Sequence, residues 1–177
     1  MVKYFSLTAI VLIVSAFAPA ASFSGCETCE FSICRSMDLG FYRYQRPFQH
    51  GWVSLWPDGS FQVSKGLGLS HGSRPLPGEI EIEAKSGQSF RVALEVFHPE
   101  HLSKTITISN LRVDVTGATI QQMDNYYQIT VPKRNPAEQV RIFLYVGADI
   151  EFKREPALTE RLFARIRLSC LDDASRR

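Results

Sequence analysis

The sequence predicts an all-β protein of the sandwich or barrel type. From Met37 onward the apolar residues mostly alternate with polar ones, which is the period of a strand with one buried face. Glycine, proline and aspartate interrupt these runs, and the runs recur roughly every 8–12 residues. The length of 177 residues is enough for one such domain.

The alternating runs follow each other in a clear order. The turn Pro57-Asp58-Gly59 ends the first of them. Their apolar positions are Val53 and Leu55; Ile80 and Ile82; Phe90, Val92 and Leu94; Ile106 and Ile108; Leu111, Val113 and Val115; Ile129 and Val131; and Val140, Ile142, Leu144 and Val146, with Ile150 and Phe152 beyond.

The last segment fits two periods. Leu158, Leu162, Phe163 and Ile166 have helical spacing, whereas Leu162, Ala164, Ile166 and Leu168 alternate with Arg161, Arg165 and Arg167. In a chain that is otherwise β, we expect a closing strand rather than a helix.

The first twenty residues are typical of a secretory signal peptide. Lys3 is their only charge, and the apolar stretch from Tyr4 to Ala18 has about 15 residues, fewer than the ~20 that span a membrane. Ala18-Pro19-Ala20 is a small-x-small cleavage site, with Ser22 as the second choice. No later segment is long and apolar enough to predict a span. We therefore expect an exported protein, whether periplasmic, at the cell surface or extracellular.

Four cysteines remain after this cleavage: Cys26, Cys29, Cys34 and Cys170. In an exported chain an even number indicates disulfides, and four cysteines allow three pairings. We favour Cys34 with Cys170 and Cys26 with Cys29. A zinc site, a redox Cys-x-x-Cys and a lipid on Cys26 are the less favoured alternatives. The domain organisation is thus a signal peptide (1–20), a cysteine-rich leader (21–36), a β-sandwich (37–171) and a polar tail (172–177).

The net charge and the motifs argue against several classes of function. The net charge of +2 argues against binding to nucleic acid. No nucleophile, metal or phosphate motif is present, so we predict neither enzymatic activity nor a cofactor. His98-Pro99-Glu100-His101 is better explained as a solvated loop than as a metal site.

Trp52 and Trp56 are the candidate binding residues. In a strand they point to one face, about 13 Å apart at ~3.3 Å per residue. An outward pair of indoles can stack on a sugar ring or anchor a partner, and internal packing is the alternative.

Five motifs in a fixed order resemble a bacterial family called domain of unknown function 4402, which is similar to spore-coat-protein-U-like and pilin-like secreted domains. They are Met37–Gly40, Gly51–Gly59, Gly78–Leu94, Thr105–Leu111 and Leu144–Phe152. The resemblance implies an immunoglobulin-like antiparallel β-sandwich, exported and associated with the envelope or an appendage. It carries no catalytic residues. The two tryptophans and the cysteine-rich leader depart from the family pattern.

The expected function is therefore a non-enzymatic structural or adhesive role at the bacterial envelope or a surface appendage. Its partners would be other envelope or appendage subunits, and a sharper version of this hypothesis joins pilin-like subunits by strand donation. Against that version, Phe31 and Ile33 are only a short apolar stub before Met37, and a chain closed by its own last strand would be a monomer. The alternative is a module that binds a carbohydrate or protein through an exposed tryptophan face.

Overall fold

Every regular element in the described part of the chain is a β-strand. The computed structural model describes residues 29–40, 42–44, 50–70, 72–98, 105–135, 138–154 and 161–171. The strands are β1 (Cys29–Arg35), β2 (Met37–Gly40), β3 (Tyr42–Tyr44), β4 (Gly51–Leu55), β5 (Phe61–Val63), β6 (Leu67–Leu69), β7 (Gly78–Lys85), β8 (Ser89–Phe97), β9 (Ile106–Thr116), β10 (Thr119–Gln122), β11 (Tyr127–Thr130), β12 (Gln139–Phe152) and β13 (Leu162–Leu171). The predicted all-β class is confirmed.

The first sheet is built around β12, which is long enough to pair with two strands along one side. The first half of β12 pairs with β7, and its second half pairs with β4. Because β9 pairs with residues 143–152 of β12, it occupies the opposite side of both halves. β1 lies outside β7, and β5 lies outside β4.

The second sheet has the order β10-β11-β8-β13-β2, and all its strands pair antiparallel. The final segment is therefore a strand, as expected, and β13 lies between β8 and β2. Buried and exposed side chains alternate strictly from Leu162 to Ser169, with Leu162, Ala164, Ile166 and Leu168 buried and Phe163, Arg165, Arg167 and Ser169 exposed. A small third sheet pairs β3 with β6.

The two large sheets pack face to face, so the fold is an antiparallel β-sandwich. Two apolar clusters fill the space between them, one under each half of β12. The first cluster contains Ile80, Ile82, Ala84, Phe90, Val92, Tyr127, Ile129, Val131, Ile142, Leu144, Val146, Ile166 and Leu168. The second contains Met37, Leu39, Tyr42, Val53, Leu55, Leu67, Ile106, Ala148, Ile150, Phe152, Leu162 and Ala164.

The sandwich begins earlier than the sequence suggested. We expected a leader up to residue 36, but β1 starts at Cys29 and pairs with β7 from the Cys29–Ala84 pair onward. The physical reason is Phe31, which lies opposite Ile82 and packs against the first cluster. The predicted signal peptide, Cys26 and the tail at 172–177 lie outside the described residues. Within the described residues, no helix is long and apolar enough to cross a membrane.

Candidate functional site

A polar network of described residues lies on the outer face of the first sheet, where β12 has β4 on one side and β9 on the other. Its centre is Asp149 of β12, which pairs with Ser54 of β4 on one side and Ser109 of β9 on the other. A bulge in β9 follows at Asn110, which has a φ of 48°. Asparagine tolerates this left-handed conformation better than most residues, so the bulge turns its side chain toward Asp149 without a glycine.

The Asp149 carboxylate accepts three hydrogen bonds. Ser54 Oγ donates to Oδ1 at 2.6 Å, Asn110 Nδ2 donates to Oδ2 at 2.8 Å, and Arg112 Nη2 donates to Oδ1 at 2.6 Å. Desolvation alone would raise the pKa of Asp149, but the three hydrogen bonds and the charge of Arg112 outweigh it and lower that pKa. The carboxylate is thus held ionised and joins three strands.

Trp56 belongs to the same network. The Arg112 guanidinium lies 5.1 Å from the centre of the Trp56 ring, and its Nη1 donates to the Leu55 carbonyl at 3.4 Å. Gly147 makes this arrangement possible, because a Cβ there would lie 2.3 Å from the Leu55 carbonyl oxygen. One face of the Trp56 indole is therefore covered by protein.

Trp52 has a different environment. It lies opposite Glu151 in the β4–β12 register and is 38% exposed on the outer face. The imidazole of His50 is 3.4 Å from the Glu151 carboxylate. The structure places both predicted tryptophans on the same side of the sheet, but Trp52 is exposed, whereas Trp56 is partly buried and has Arg112 over one face of its ring. Trp52 is therefore the more accessible of the two rings for stacking on a sugar.

The acidic side chains of β7 continue the outer face away from the tryptophans. Arg141 of β12 lies 3.4 Å from Glu81 and 3.1 Å from Glu83, and Arg35 of β1 lies 2.9 Å from Glu79. Such partly exposed ion pairs contribute little stability individually. Two arginines thus offset most of the charge of the three glutamates, so this stripe is a cross-strand ladder of ion pairs rather than an acidic binding surface.

The favoured pairing of Cys34 with Cys170 is wrong. Cys34 is an exposed thiol, and its Sγ lies 3.9 Å from Oε2 of Glu81 on the outer face of the first sheet. Cys170 packs against the first core cluster instead. Cys34 faces outward from the first sheet, whereas Cys170 faces the core from the second sheet, so the first sheet separates the two side chains and they do not meet the geometric limits of a disulfide.

A second candidate site is the open half of β8. β11 covers β8 only from Ser89 to Val92, whereas β13 pairs with it from Arg91 to Phe97. The burial of the core-facing side chains changes at the same point. Phe90 is 6% exposed and Val92 is fully buried, but Leu94 and Val96 are only partly buried. Among the described residues, no strand continues the line of β11 beside Ala93–Phe97.

The facing edge of the first sheet is also incompletely covered. Ile108, Leu111, Val113 and Val115 of β9 are all partly buried and pack against the core clusters. A cleft of about 280 Å³ separates the end of β8 from the start of β9, lined by Val96, Phe97, His98, Ile106, Thr107, Ile108 and Lys153. As far as the described residues show, the two sheets are therefore open to each other along this side.

Sequence reasoning missed the Asp149 network and the open half of β8. Asp149 is a polar residue between the apolar positions Ala148 and Ile150, which marks an outward position but does not identify Arg112 as its partner. The short β11 had one signal, the brief apolar pair Ile129 and Val131 opposite the longer β8 pattern. Of the predicted His98–His101 loop, residues 99–101 lie outside the described residues.

Comparisons with models of known protein families, with curated proteins and with solved structures found no match for this chain.

Proposed function

We propose that this chain is an exported, non-enzymatic β-sandwich with a structural or adhesive role at the bacterial envelope or a surface appendage. We further propose that it associates with a second copy of itself by strand addition at the open half of β8. The motif order described above supports the exported, pilin-like part of this proposal. The exposure of Leu94 and Val96 carries the proposed mode of association.

The physical argument rests on what an added strand would supply. An extended segment beside Ala93–Phe97 would offer main-chain partners to β8 on the side away from β13. Its apolar side chains would cover Leu94 and Val96 in the second sheet and Ile108 in the first. Burial of apolar surface contributes roughly 25 cal/mol per Å² to the free energy of association. Covering the partly buried side chains of β8 and β9 would therefore favour binding of an added strand.

The test is the mass of the refolded protein over a range of concentrations, measured by light scattering after size exclusion. The proposal predicts oligomers that grow with concentration. The variant Ile108→Lys places a charge in the cleft and should return the protein to a monomer. Thr116→Lys is the matched control, because it adds the same charge to an exposed, outward position of the same strand.

A folded wild-type protein that stays monomeric at every concentration would overturn the proposal. Circular dichroism and thermal unfolding of both lysine variants separate a loss of association from a loss of fold. If Thr116→Lys and Ile108→Lys reduced association equally, the cleft would not be the site of association, because only Ile108 lies in it.

A second candidate function has its own observation, the 38% exposure of Trp52. Trp52 and the neighbouring Glu151 would bind a glycan by stacking and a carboxylate hydrogen bond. Titration with a panel of glycans while tryptophan fluorescence is recorded tests this role. The signal should change in wild type and in Trp56→Phe but not in Trp52→Ala; no response to any glycan would remove this candidate.

A further inference from the structure

Cys170 faces the core, and this position restricts which of the N-terminal cysteines can form a disulfide with it. Cys34 is excluded by its place on the outer face beside Glu81. Cys34 is also excluded as a partner of Cys29, because the two residues lie five positions apart in the extended strand β1. That spacing separates their Cα atoms by roughly 16 Å, whereas disulfides join Cα atoms less than about 7 Å apart.

The register places Cys29 on the other face of β1. Cys29 pairs with Ala84, which is 3% exposed and belongs to the first core cluster. Residues directly opposite each other in an antiparallel ladder share a face of the sheet. The register position of Cys29 is therefore on the core face, as is that of Cys170, which packs against the same cluster.

The two cysteines also lie toward the same end of the sandwich. β7 crosses β13 at Gly78, where a Cβ would lie 1.9 Å from Cδ1 of Ile166. A tight turn at Lys85–Gln88 joins β7 to β8, and β13 is antiparallel to β8, so β7 and β13 run in the same direction. From the crossing, β7 leads to Ala84 and its partner Cys29, while β13 leads to Cys170.

We propose that oxidation joins Cys29 to Cys170 in a disulfide that ties the first strand to the last, and that Cys34 remains a thiol. Each cysteine gives up its thiol hydrogen, and one S–S bond forms. The two electrons and two protons pass to a disulfide oxidant of the exported compartment, either glutathione disulfide or a protein disulfide, which is reduced to two thiols. This proposal uses the export that we propose above, but it does not depend on self-association.

The test is disulfide mapping of the full chain refolded in a glutathione redox buffer, with protein from the exported fraction in parallel. The refolded sample tests the bridge even if the chain is not exported. Trypsin leaves Cys26, Cys29 and Cys34 on one peptide, because no lysine or arginine separates them. A protease that cleaves after glutamate separates all three, because Glu27 and Glu30 lie between them.

The expected product links the short peptide that holds Cys29 to the peptide that holds Cys170, and reduction separates them. Cys34 should react with an alkylating reagent in the folded protein without reduction. Cys29→Ser and Cys170→Ser should lower the melting temperature equally, the double variant should lower it no further, and Cys34→Ser should leave it unchanged. A Cys170 linked to Cys26 or Cys34, or alkylated without prior reduction, would overturn the proposal.

Discussion

Arg112 of β9 donates a 2.6 Å hydrogen bond to Asp149 of β12, and its guanidinium also covers the ring of Trp56. One side chain thus connects three strands on the outer face of the first sheet. The sequence separates Arg112 and Asp149 by 37 residues, so only the sheet register brings them together. We expect this network to stabilise the place where the end of β4 meets the long central strand.

Asp149→Asn tests the network at its centre. The change removes the ionic partner of Arg112 and should lower the free energy of unfolding by about 2 kcal/mol at neutral pH, because hydrogen bonds to charged groups are the stronger ones. Urea denaturation measures this loss. Asp124→Asn, at an exposed position in the β10–β11 turn, is the matched control and should be nearly neutral.

The effect of Asp149→Asn should depend on pH. The folded protein lowers the pKa of Asp149, whereas the unfolded chain leaves it near ~3.9. The ionised carboxylate therefore adds stability above about pH 4, and this contribution is lost as the pH falls through the lower folded pKa. The free energies of unfolding of wild type and Asp149→Asn should differ most at pH 7, and the difference should shrink as the pH falls. A difference that is constant from pH 7 to pH 3 would contradict the assigned role.

Gly147→Ala should be among the more damaging single substitutions in the first sheet. The new Cβ would lie 2.3 Å from the Leu55 carbonyl oxygen and 2.9 Å from the Trp56 carbonyl carbon, which are both backbone atoms. We expect a loss of about 3 kcal/mol and a change in the fluorescence of Trp56. Gly68→Ala is the control, because its nearest neighbour is 4.0 Å away. Equal losses in the two variants would be evidence against the close approach of β4.

Gly78→Ala tests the contact between the two sheets. Its Cβ would meet Cδ1 of Ile166 at 1.9 Å, and we expect a loss of about 2 kcal/mol from overpacking. Ile166→Val removes that terminal methyl group, so the double variant should lose less stability than the sum of the single changes. Strict additivity in a double-mutant cycle would mean that β7 and β13 do not cross here.

Tyr42→Phe should leave the protein as stable as before or more stable by up to about 1 kcal/mol. Tyr42 is 1% exposed, and its hydroxyl has no hydrogen-bond partner among the described residues. Burial raises the pKa of Tyr42, and the charge of Asp38 raises it further by a smaller amount. The hydroxyl therefore stays protonated. Tyr42→Leu should cost more, because it also removes the edge-to-face contact with Phe152 at 5.0 Å. A loss of several kcal/mol in Tyr42→Phe would reveal a partner for the hydroxyl.

The alternation of residues predicted which face each strand buries, as the core positions Val53, Ile80 and Ile142 demonstrate. It did not predict neighbours, because a period of two carries no information on which strands pair. For this reason the sequence did not predict that β4 and β7 lie along one side of β12. It also did not predict the bulge at Asn110 or the partner of Arg112. Similarly, the cysteine spacing indicated disulfides, but the register excludes the favoured Cys34–Cys170 pairing.

The most direct test of the proposed association is hydrogen exchange of β8 in the assembled and the dissociated protein. In the monomer, amides of Ala93–Phe97 that face away from β13 should exchange quickly, whereas Arg91 and Val92 pair with both β11 and β13 and should be protected. Assembly should protect Ala93–Phe97 and leave Phe90–Val92 unchanged. An assembled protein in which Ala93–Phe97 still exchange as fast as in the monomer would contradict strand addition at β8.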